Sequence, residues 1–129
     1  MNVGIQINSD PQQNQSAYVN VVVNYQPWVP GNDGWSFVGG SNITVADIAP
    51  DTWQWFIDPH FSWEAIGLRG HPSNSDNDPE DVFWLKMPGS QRTPADLKVG
   101  DSGDVSIFGT YACATVLGNS PTWTVQSIA

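Results

Sequence analysis

Tyr18-Val19-Asn20-Val21-Val22-Val23-Asn24-Tyr25 alternates with a period of two. Val19, Val21, Val23 and Tyr25 fall on one face, and Tyr18, Asn20, Val22 and Asn24 on the other. Only an extended strand separates residues this way, because successive side chains of a strand point to opposite sides of the sheet. β-branched residues dominate the segment, and they fit a pleated surface better than a helix.

The same period recurs on either side. Val3, Ile5 and Ile7 alternate with Gly4, Gln6 and Asn8. Trp53, Trp55 and Ile57 alternate with Gln54 and Phe56, and Val105, Ile107, Gly109, Tyr111 and Cys113 with Ser106, Phe108, Thr110 and Ala112. Shorter strands are expected over 61–68, 82–87 and 123–126, with a strand or edge ribbon over 43–48. Turn chemistry separates the runs: 8–16, 26–34, 70–81, 88–94 and 100–103 are rich in Gly, Pro, Asn and Asp. Thr93-Pro94-Ala95-Asp96 has a capping Thr followed by Pro at a first helical position, enough for one turn. Seven to nine short strands in 129 residues predict an all-β domain spanning 1–129. The first expectation is an antiparallel β-sandwich, jelly-roll or Ig-like, with a small β-barrel as runner-up.

Composition narrows the function. The chain has 4 Lys+Arg against 13 Asp+Glu, a formal net charge of -9. Four cations cannot neutralise a phosphate backbone, so no nucleic-acid partner is expected. No apolar run reaches the ~18 residues of a membrane helix, so no membrane span is expected. The single cysteine, Cys113, cannot form an internal disulfide, and on an apolar strand it reads as a small hydrophobe. Met1 leads directly into a strand pattern with no basic or apolar leader. The expected location is therefore cytoplasmic, or outside the cell by release without a signal peptide.

Charged residues are only 13% of the chain, and neutral Asn, Gln, Ser and Thr far outnumber Lys and Glu. Seven Trp accompany them. An indole offers a flat apolar face to the C–H side of a sugar ring while amides and carboxylates hold its hydroxyls. Trp28 and Trp35 flank a loop that carries Asn32 and Asp33; with Trp55, Trp63, His71 and Trp84 they form the expected ligand-binding set. The alternative for Trp35 and Trp28 is loop packing, and for Trp53 and Trp55 it is the core. The acidic loop holds Asn74, Asp76, Asp78, Glu80 and Asp81, oxygen donors of the kind a hard cation takes, so Ca²⁺ is the candidate cofactor. The other reading is a solvated turn.

Catalysis is not expected. His60 and His71 lack metal-ligand spacing, Gly100-Asp101-Ser102-Gly103 has no matching base, and Glu64 with Asp58 would need a deep cleft. The function expected first is a lectin-like carbohydrate-binding module, multivalent as a homo-oligomer and binding a glycan or glycoconjugate. The second is a structural or assembly subunit (a capsid, appendage or inclusion protein) with aromatic subunit contacts, including strand addition along 3–8.

Overall fold

The computed structural model describes residues 1–13, 16–26, 34–44, 54–57, 65–71, 80–89, 94–109 and 116–129. For residues 37, 39–44, 54–56 and 71 the description extends to strand position and register. Among the described residues eight strands follow in order: β1 (Asn2–Asn8), β2 (Tyr18–Tyr25), β3 (Trp35–Thr44), β4 (Gln54–Ile57), β5 (Ala65–His71), β6 (Asp81–Lys86), β7 (Ser102–Phe108) and β8 (Thr122–Ile128). One 3-10 turn, Pro94–Asp96, lies where Thr93 and Pro94 predict it.

All pairings are antiparallel, and the spatial order is β3-β2-β1-β8-β7-β6-β5-β4. Each strand neighbours the strands before and after it in sequence, and the first strand joins the last. The two ends of the ladder, β3 and β4, lie against each other. The sheet thus wraps into a nearly closed, barrel-like form with up-and-down order, and the runner-up expectation describes it. The sandwich expected first is not seen. Alternation cannot separate the two architectures, because each strand buries one face in both.

The interior follows the alternation. Val3, Ile5 and Ile7 of β1, and Val19, Val21, Val23 and Tyr25 of β2, are buried. They pack with Trp35, Ile66, Leu68, Phe83, Leu85, Val105, Trp123 and Val125 in one core. Complete burial of an aliphatic or Phe side chain contributes about 1.5–3 kcal/mol each, so this interior is the main source of stability. Leu97 and Leu117 join it from the connections.

Irregularities shape the wall. β3 opposes β2 with two register shifts, between Asn20 and Val22 and between Val22 and Val23, so ten residues pair with eight. Gly39 and Gly40 sit within this bulged stretch, which hides the period of two. The sequence therefore predicted strand at 43–48, whereas β3 occupies 35–44; residues 45–48 lie outside the described set. β5 spans Ala65–His71, and residues 61–64 of the strand predicted over 61–68 lie outside the described set. β7 begins at Ser102, before the predicted 105. The tight turn predicted at 100–103 lies at 98–101, where Asp101 Oδ2 accepts a hydrogen bond of 2.8 Å from the Lys98 N–H. β7 pairs with β8 through Ser102, Gly103 and Asp104, and with β6 through Val105 to Phe108.

β1 is paired on both sides, by β2 and β8, so it offers no edge for strand addition at 3–8. The ladder ends instead at β3, which is bulged, and β4, which has four residues. Both features protect an edge from pairing with another chain.

Candidate functional site

The strand ends sort the predicted site residues into two groups. Tyr25, Trp35, Ile57 and Ala65 lie at one end of the barrel, from which the connections 26–34 and 58–64 depart. His71 and Asp81 lie at the other end, from which 72–80 departs. Seven-residue strands separate the two ends by about 20 Å. The acidic stretch and the Trp28–Trp35 stretch therefore attach to opposite ends, and one small ligand cannot bridge the described strand ends that carry them.

Trp28, Asn32, Asp33, Trp63, Asn74, Asp76 and Asp78 lie outside the described residues, as do Asp58, His60, Glu64 and Cys113. Trp55 and His71 are placed by register: Trp55 opposite Gly70, and His71 opposite Gln54. Trp35 is 2% exposed and stacks at a tilt on Tyr25, with ring centroids 5.1 Å apart. It is a core residue rather than a platform: it pairs with Tyr25 on the inward phase of the ladder, which the loop context around it could not reveal. Trp84 is half-buried on β6, on the outward phase, with Gly67 and Ser106 opposite.

Glu80 and Asp81 take part in the barrel wall. A Glu80 Oε2 stands 3.7 Å from Arg69 Nη1, both side chains being about one-third exposed (35% and 32%). Asp81 is fully buried, on the inward phase of β6. Gly109, at φ 141, lies so close to its carboxylate that a Cβ there would overlap Asp81 Oδ1. Among the described residues no group of three or more His, Cys, Asp or Glu is arranged to hold a metal.

The outward face of β2, β1, β8 and the start of β7 is the most distinctive surface. β1, β2, β3 and β8 are four consecutive neighbours in the ladder and contain no charged residue at all. Register lines up their positions in rows across the strands, and on β1, β2 and β8 these positions are the outward ones. One row runs Asn42, Asn20, Gln6, Thr124, Ser102; the next runs Thr44, Tyr18, Asn8, Thr122, Asp104. A further row holds Ser36, Asn24 and Asn2. Tyr18, Asn20, Asn24, Gln6, Asn8, Thr122 and Thr124 are partly exposed, and Asn2, Ser102, Asp104 and Gln126 are exposed. Asp104 is the one charged group in these rows.

Neighbouring amides orient one another. Gln126 Nε2 donates to Gln6 Oε1 at 3.1 Å, and Asn24 Nδ2 donates to Asn2 Oδ1 at 2.6 Å. Those bonds leave the NH₂ groups of Gln6 and Asn2 to act as donors, and an amide both gives and accepts hydrogen bonds. The surface of a small domain ordinarily carries about 25–35% charged side chains. Here the charge sits on other parts of the chain, and amides and hydroxyls cover this wall. In the sequence these residues stand out only as the polar face of strands. Their signal was the absence of Lys and Glu at outward positions of the first two strands and the last.

Among the described residues no helix is long and apolar enough to cross a membrane. The chain matches no protein-family model, and comparison with curated proteins and with solved structures finds no similar protein either.

Proposed function

We propose that this protein is a lectin-like glycan-binding module whose ligand docks on the uncharged wall formed by β2, β1, β8 and the start of β7. The observation that carries this reading is the cross-strand array of Asn20, Gln6, Asn8, Thr122 and Thr124 beside Tyr18, with one carboxylate and no cation. Sugars are neutral polyols with apolar C–H faces. Amides and hydroxyls match their hydroxyls, and a tyrosine ring matches the C–H face. Trp28 and Trp63, which belong to the connections 26–34 and 58–64, remain part of the proposal as secondary contacts. Ca²⁺ on Asn74, Asp76 and Asp78 of the connection 72–80 would act as a structural ion. No catalytic step is proposed.

A glycan array tests the reading. Neutral glycans should be bound, and the Gln6→Lys/Thr124→Lys double variant, with an unchanged melting temperature, should lose them. An array empty of neutral glycans, or a double variant that binds as the parent does, refutes it.

The second reading is an assembly subunit. Phe108, 62% exposed and paired with Val82 near Trp84, favours it, because this is an apolar patch on the outer wall of β6 and β7. A homo-oligomer through this patch would dissociate on Phe108→Ser in analytical ultracentrifugation. A monomer at all concentrations removes that reading.

A further inference from the structure

We infer that the ligand is a linear chain of uncharged sugar residues, seated across the strands along the row formed by Gly39, Val22 and Gly4. This rests on the glycan reading above and adds the class of glycan and its direction on the wall.

Three observations carry it. The first is the relief of the wall. Register places Gly39 opposite Val22 and Val22 opposite Gly4, so the row has one side chain, a partly exposed valine, between two residues without any. The flanking rows hold Asn24 and Asn2 on one side and Asn20 and Gln6 on the other. The result is a floor of one partly exposed valine beside the buried Gly4, bounded on β1 and β2 by amides on both sides. At the β8 end Ser127 closes the row: its Oγ stands where a Cβ on Gly4 would be, and adds a hydroxyl there.

The second is repetition. Neighbouring strands are about 4.8 Å apart, so from β3 to β8 the row spans about 14 Å. The same arrangement recurs on the two central strands: Val22 of β2 lies between Asn24 and Asn20, and Gly4 of β1 between Asn2 and Gln6, while Ser36 and Asn42 continue the flanking rows on β3. A partner built of repeating units running across the strands meets polar groups on both flanks at successive steps. A single sugar would use only one step.

The third is charge. The chain carries -9, yet the four strands that form this row carry none of it. A polyanion would feel the body's repulsion over the ~8–10 Å of a Debye length. A polycation would find its partners among the carboxylates elsewhere. A second copy of this chain brings its own -9 against the first. An uncharged polymer meets none of these obstacles.

Affinity electrophoresis tests this in gels containing dextran, xylan, hydroxyethylcellulose or, as anionic control, alginate. Titration calorimetry with the matching oligosaccharides, from one residue upward, accompanies it. Expected are retardation by at least one neutral polymer and none by alginate, and an affinity rising at least tenfold from monosaccharide to the length that fills the row. Val22→Lys, which plants a charged chain on the floor, should reduce retardation at least tenfold. Asn20→Ala, a milder change, should reduce it severalfold with an unchanged melting temperature, should Val22→Lys fail to fold. Equal affinity for short and long sugars, lost with the Gln6→Lys/Thr124→Lys variant, would retain the wall as a glycan site and overturn the across-strand seat. Binding that survives both Val22→Lys and Asn20→Ala would also overturn the seat. No binding to any neutral glycan would remove the underlying reading as well. A dimer that Val22→Lys dissociates would make a second copy the occupant and overturn the inference.

Discussion

Gly103→Ala is the most informative single change to the barrel. Gly103 pairs with Trp123 where β7 crosses from β8 to β6. A Cβ at this position would lie 2.6 Å from Trp123 Nε1 and would overlap the Lys86 carbonyl oxygen. That contact is where the indole N–H donates to Lys86 O, at 2.6 Å. Trp123 is fully buried, so its ring cannot swing out to water without emptying part of the core. Leaving a buried donor unsatisfied costs about 1–3 kcal/mol, and forcing an extra methyl into a filled site costs about 1–3 more. The expected loss is therefore about 2–6 kcal/mol, against a total of about 5–15 kcal/mol for a small domain. With ~2.1 cal/mol/K per residue, 129 residues give ~0.27 kcal/mol/K, so the melting temperature should fall by roughly 7–22 °C. Gly89→Ala is the control. Gly89 has φ 57 and nothing within 4 Å of a new Cβ, so only the left-handed backbone resists, at about 1–2 kcal/mol. Thermal and urea unfolding followed by circular dichroism measure both. A Gly103→Ala protein that melts within two or so degrees of the parent, or above Gly89→Ala, would refute the close approach of indole, carbonyl and glycine.

Three other outcomes follow from the same structure. Trp35→Ala should lower stability by about 3–5 kcal/mol, the cost of emptying a buried aromatic site, whereas Trp84→Ala on the outer wall should cost clearly less; equal losses by urea titration would contradict their placement. If Asn74, Asp76 and Asp78 hold Ca²⁺, saturation at one hundred times Kd adds about 2.7 kcal/mol, a rise of ~10 °C that EDTA reverses; identical melting curves with and without calcium would reject the ion. Deleting 127–129 removes the Asn2 N–H to Ala129 O bond of 2.7 Å and the Ala129 N–H to Asn2 O bond of 2.8 Å, together with the pairing of Ile128 with Val3 and its packing on the core, and from the two bonds alone, at about 1 kcal/mol each, should lower stability by at least ~2 kcal/mol; an unchanged urea midpoint would count against closure of β1 on β8.

The alternation of Val19, Val21 and Val23 against Asn20, Val22 and Asn24 was enough to assign an all-β chain and the core face of β2, because the side-chain period of a strand is a local property. The net charge and the neutral character of the polar residues were equally plain from composition. β3 was not legible, since its two register shifts and adjacent glycines break the period that reveals a strand. Trp35 reads in sequence as the margin of a loop, and only its pairing with Tyr25 turns it inward. Glu80 reads as one more carboxylate of an acidic stretch until Arg69, eleven positions earlier, is brought beside it. Above all, tertiary structure decided which strands are neighbours. Gln6 and Thr124 stand in one row although most of the chain lies between them. Pairing of β1 with β8 depends on closing the sheet around a shared core, a long-range choice that no local pattern encodes. That closure gathers the four uncharged strands into one wall.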